Sequence, residues 1–118
     1  EALDLYAGHF LPEEADERWS ISTRERLRAR FNQTLLRHAE ASRRLGRHED
    51  ALATYRRGLE VDDLAESFYQ GVMACCLELG RPAEGLAAYQ RLKRVFSIVL
   101  RLAPSERSEA LHRDLRIG

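Results

Sequence analysis

The chain has 118 residues, of which 44% are apolar, and its 19 basic and 19 acidic side chains cancel to zero net charge. This size suits a single domain over residues 1–118, and this composition excludes a disordered chain. No apolar run approaches ~20 residues, so no membrane-spanning helix is expected.

Only three prolines and seven glycines interrupt the chain, and Leu, Ala, Arg and Glu are abundant, which favours helices. The first short helical pattern covers residues 2–7, with Leu3 and Tyr6 on one side and Gly8 as its stop. Residues 9–20 read as a loop, with Phe10, Leu11 and Trp19 as anchors into a core. Ser22 and Glu25 have the spacing of a capping box, so a long helix is expected from there to about Leu45. Its apolar residues Leu27, Phe31, Leu35 and Ala39 recur in steps of four, and Gly46 ends it. A second helix is expected over residues 49–61, with Ala51, Leu52, Tyr55 and Leu59 inward. Asp63 and Glu66 have cap spacing for a third helix that stops at Gly80. Pro82 suits the first turn of a fourth, which runs through the apolar stretch VFSIVLRL to Pro104. Ser105 is placed to cap a last helix carrying Leu111 and Leu115. No segment alternates with period two, so the fold class is all-α, with about six helices.

Residues 45–61 and 79–95 are the most informative pair of segments. Leu45, Gly46, Arg47, Leu52, Ala53, Tyr55, Arg57 and Val61 recur 34 positions later as Leu79, Gly80, Arg81, Leu86, Ala87, Tyr89, Arg91 and Val95. That period is the length of a tetratricopeptide helix–turn–helix unit. It predicts a tetratricopeptide-like stack of about three antiparallel helical hairpins, with repeat units at about 32–63 and 66–97. In such a stack, small or apolar residues sit where helices touch: Leu35, Ala39, Gly46, Ala51, Tyr55 and Gly58, then Tyr69, Met73, Gly80, Gly85, Tyr89 and Leu92. Gly58 and Gly85 fall inside helices at a cost of about 1 kcal/mol each against Ala, which implies close helix approach.

Stacked hairpins build binding surfaces rather than active sites. The first helix of each unit lines the concave side, which makes Gln33, Leu36, Glu40, Arg43, Ser67, Gln70, Ala74 and Leu77 the candidate interaction groove. Its mixture of polar and apolar groups suits a peptide or a neighbouring domain. Charge is segregated along the chain. Residues 1–17 carry six acids and no base, whereas residues 18–57 carry eleven arginines against four acids. Arg26, Arg30, Arg37 and Arg44 fall on one helical stripe that could neutralise DNA phosphates without reading sequence. No aromatic residue interleaves with it, and a solvated face partly paired with the acidic N-terminal segment is the competing expectation.

No phosphate-cradling glycine loop, nucleophile elbow or zinc-protease pair is present, and no catalytic, cofactor-binding or metal-binding residue is assigned. His9, His38, His48 and His112 are scattered, and His38 is expected to pack by a hydrogen bond near the buried stripe. The adjacent Cys75 and Cys76 cannot staple a fold. Cys76 falls at a buried repeat position, and free, reduced thiols suit a cytoplasmic setting.

Several strings, in order, resemble the bacterial transcriptional activator domain, the tetratricopeptide-like module of streptomycete antibiotic regulatory proteins and of large ATPase-containing transcriptional regulators. They are ALDLYAGHFLP at 2–12, Trp19 with RERL at 24–27, LGRHEDAL at 45–52, Asp62-Asp63-Leu64 with Glu66, LELGRPAEGLAAY at 77–89, and Ala103-Pro104-Ser105 with Leu111. Asp63 stands where many relatives carry Pro, which implies a less rigid turn. Arg101 and Glu106 stand where Gly and Pro are common, which implies that the last hairpin runs on as a longer helix.

The resemblance implies a regulatory module cut from a larger regulator. Its partners would be other domains of the same regulator, a sister subunit or the transcription machinery. DNA would be contacted through a separate winged helix, with no membrane involved. A stand-alone tetratricopeptide adaptor is the remaining alternative.

Overall fold

The structure, a computed structural model, describes the backbone of residues 13–117 and the side chains of residues 21–117. The expected helix at 2–7, the anchoring roles of Phe10, Leu11 and Trp19, and the pairing of the acidic N-terminal segment lie outside the described residues. The described chain folds as α1 (Glu13–Arg44), α2 (His48–Val61), α3 (Glu66–Leu79), α4 (Pro82–Val95), a π-turn (Phe96–Leu100) and α5 (Glu106–Ile117). No strand occurs among the described residues, and the packed hairpins form a tetratricopeptide-like, all-helical stack.

Helix α1 starts earlier than expected. Residues 13–20, read as loop, are helical, and Ser22 lies nine residues inside the helix rather than at its cap. The reason is local: residues 13–44 contain neither Gly nor Pro, Pro12 precedes them, and Glu13, Glu14 and Asp16 place negative charge at the helix N-terminus.

Chain packing divides at Phe31, giving one unit of residues 1–31 and a second of residues 32–118. In the first unit Leu27 is half-buried while Ile21 and Phe31 are exposed. In the second, Leu35 and Ala39 are buried. The four-residue stripe therefore fails at Phe31, the residue at which the packing of the chain divides.

In the second unit the two hairpin turns repeat each other in detail. Arg47 N–H donates to Ser42 O at 2.8 Å, and Arg81 N–H donates to Cys76 O at 2.9 Å, each bond 34 residues from its counterpart. Gly46 at φ +80° and Gly80 at φ +71° adopt the left-handed conformation that closes this helix end. Both glycines are exposed turn residues, with open space where a Cβ would stand, so they are not the helix contacts expected of them.

Gly58 and Gly85 are such contacts. A Cβ on Gly58 would lie 2.5 Å from the Phe68 ring, and one on Gly85 would lie 2.7 Å from Leu115. Gly71, not singled out by the repeat, lies against the Tyr55 ring in the same way.

Helix α3 is the centre of this unit. Phe68, Tyr69, Val72, Met73, Cys75 and Cys76 are all buried, and α2, α4 and α5 pack around it. A helix that is apolar nearly all round belongs in a core, and each large side chain buried here is worth roughly 1.5–3 kcal/mol of transfer free energy. Both cysteines are free, and burial pushes their thiols above the ordinary pKa, away from reactive thiolate.

Two boundaries differ from expectation. Asp63 does not cap α3, whose N-cap is Ala65 with no side-chain bond. Asp62 instead orders the turn, accepting from Leu64 N–H at 3.1 Å and from Asn32 Nδ2 at 2.9 Å, while Tyr69 donates its hydroxyl proton to Asp63 O. Helix α4 does not run on to Pro104. It widens into the π-turn and stops at Arg101, a left-handed residue at φ +56°.

Candidate interaction surface

The expected groove residues divide into three groups. Gln33, Glu40 and Ser67 are exposed. Leu36 and Leu77 are half-buried and pack against the core, and Ala74 is buried. Arg43 and Gln70 are each held by bonds inside the fold, which changes what they can offer to a partner.

Gln70 is engaged by α5. Its Nε2 donates to Ser108 Oγ at 3.0 Å and to Ser105 Oγ at 3.2 Å. One turn earlier on α3, Glu66 Oε2 accepts from Ser108 Oγ at 2.5 Å and from the Ser105 N–H at 2.8 Å. Burial alone would raise the Glu66 carboxyl pKa, but bonds from Ser108, Ser105 and Gln70 outweigh it and hold the group below its ordinary value. The N-terminal half of the α3 face is thus occupied by the start of α5. Ser108 is fully buried, and its position carried no periodic signal that would have marked it.

The remaining open part lies at the C-terminal ends of α1 and α3. Glu40, Arg43, Arg44, His48 and Glu78 line a depression of about 290 Å³. Arg43 interacts with the buried Tyr55, and that interaction raises the guanidinium pKa against the opposing effect of burial. Burial raises the Tyr55 pKa, and the bond from Arg43 opposes that rise. His48 Nε2 stands 4.0 Å from Glu78 Oε1, and His48 Nδ1 is buried with no hydrogen-bond partner among the described residues.

The surface therefore presents two guanidinium groups, two carboxylates and an imidazole, at helix ends closed by hydrogen-bonded turns. It brings together Glu40 and Arg43 of the expected groove with Arg44 of the expected basic stripe. His48 and Glu78 were not foreseen. The 34-residue register could have found Glu78, because it is the repeat counterpart of Arg44.

The other stripe arginines are all exposed, Arg26 and Arg30 in the first unit and Arg37 in the second. His38 is exposed rather than packed and lines a separate surface depression with Arg47 and Arg57. The alternation of buried and exposed positions leaves no room for it on the buried side, since Leu35, Ala39 and Ser42 already fill that face. Among the described residues, no three His, Cys, Asp or Glu side chains gather as metal ligands. None of the described helices is long and apolar enough to cross a membrane.

A family model described as the bacterial transcriptional activator domain matches residues 1–116. No curated protein and no solved structure matches the chain.

Proposed function

Because the chain belongs to the bacterial transcriptional activator domain family, we propose that this transcriptional regulator module works by non-catalytic protein contact through the charged depression of α1, α2 and α3. The observation that carries this reading is the convergence of Glu40, Arg43, Arg44 and Glu78 from two successive repeats onto one open surface. Fixed charges of both signs on rigid helix ends give orientation and partner choice more than raw affinity. Such a surface fits another domain of the regulator, a sister subunit or a component of the transcription machinery, and it biases the regulator between assemblies. DNA is left to a separate winged-helix domain, and the setting is the cytoplasm.

Leu36 and Arg43 are poor probes of this surface, because both also support the fold. Glu40 and Glu78 are exposed, so reversing their charges leaves the core untouched. A two-hybrid assay should pair the chain with itself and with the remaining domains of a regulator that carries it. The expected result is a signal lost in the Glu40→Lys/Glu78→Lys variant, at an unchanged melting temperature. An undiminished signal in that variant would remove the depression from the mechanism.

A further inference from the structure

A second surface, on the opposite end of α4, is apolar and basic. The π-turn and the residues after it leave Ile98 70%, Val99 57%, Leu100 39% and Leu102 59% exposed, while Phe96 alone of this stretch is anchored in the core. Four large apolar side chains left exposed within five residues, beside basic ones, mark a contact site rather than ordinary surface. Beside it lies a depression of about 690 Å³, lined by Lys93, Ile98, Arg101, Leu102 and Pro104 among others.

The rim has one sign. Residues 85–105 contain no Asp or Glu, whereas Lys93, Arg94 and Arg101 are all exposed. None of these three cations enters an ion pair among the described residues, although Arg56, Arg81, Arg91 and Arg113 elsewhere do. The π-turn carries Ile98, Val99 and Leu100, and the left-handed Arg101 ends it just before Leu102, which lines the same depression as Ile98.

From this charge and shape we propose that the Lys93–Pro104 surface docks an acidic amphipathic helix of a partner protein. The partner's apolar face would cover Ile98, Val99 and Leu102, and its carboxylates would meet Lys93, Arg94 and Arg101. A helix is the fitting occupant because the described chain offers no strand edge for an extended peptide. Three cations fall short of the clusters of about 4–8 that bind anionic lipid headgroups, which separates this surface from a membrane-docking one.

The test uses the whole chain and two fluorescent synthetic helices with Leu at i, i+3, i+4 and i+7, one filled with Glu and the other with Lys. The Glu helix should bind, and raising the salt to about 0.5 M should weaken it by about tenfold, since screening shortens the reach of the rim charges. Lys93→Glu, an exposed substitution that leaves folding intact, should weaken it by about tenfold, and Ile98→Asp should abolish it. Equal binding of both helices, or binding indifferent to both substitutions, would overturn the proposal. So would binding to phosphatidylserine vesicles in place of the Glu helix.

Discussion

Gly58 is held at its position by the Phe68 ring rather than by backbone conformation. A methyl group there would stand 2.5 Å from ring carbons, far inside contact distance. Ala is about 1 kcal/mol better than Gly inside a helix, yet overpacking a core costs typically 1–3 kcal/mol. Gly58→Ala is therefore expected to destabilise the chain by about 1–2 kcal/mol, read as a lower midpoint of urea unfolding at unchanged slope. Arg101 gives the opposite case: its φ of +56° is strained for any residue with a Cβ and free for Gly. Arg101→Gly should raise stability by roughly 0.5–1 kcal/mol, while weakening the Glu-helix contact proposed at the π-turn. Gly58 and Gly85 were legible in the sequence, since a glycine inside a strong helix needs a packing reason. Ser108 was not: its burial is set by Glu66 and Gln70, some forty residues away, and no local pattern records that.

At the scale of elements, α5 shows how the third layer is attached. Leu115 packs against Gly85, Tyr89 stacks on His112 with ring centroids 3.8 Å apart, and the Tyr89 hydroxyl donates to Glu109 at 2.9 Å. At its start, the Glu66 carboxylate satisfies the Ser105 N–H, a donor that the helix itself leaves open. The folded state holds the Glu66 pKa below its ordinary value of 4.5. The stabilisation is therefore complete above that value and is lost as pH falls through the lower folded value. Glu66→Gln should cost about 1 kcal/mol at neutral pH, and it should flatten the acid limb of a plot of stability against pH. Helix ends marked by Gly46, Gly80 and Pro82 were legible because each has a fixed conformational role. The early start of α1 is marked by Pro12 and the acids after it, but the capping-box spacing of Ser22 and Glu25 competes with that mark. The π-turn has no mark, because VFSIVLRL reads as helix whether or not its turns widen.

For the molecule as a whole, the 34-residue register was the strongest signal in the chain, and it reappears in turn bonds, in left-handed glycines and in the repeat-related positions Arg44 and Glu78, which line one depression. For the expected groove, periodicity could not show that the start of α5 engages Gln70 or that Arg43 interacts with Tyr55. The exposed arginines leave one rival for the protein-contact reading, which is direct binding to the DNA backbone.

The decisive measurement is fluorescence anisotropy of a labelled duplex titrated with the chain, at about 50 mM and about 150 mM salt. Protein contact predicts no binding at the higher salt and no more than weak association at the lower. Tight binding that falls steeply with salt and disappears on charge reversal at Arg26, Arg30 and Arg37 would contradict it, and would make this chain part of the DNA-binding surface.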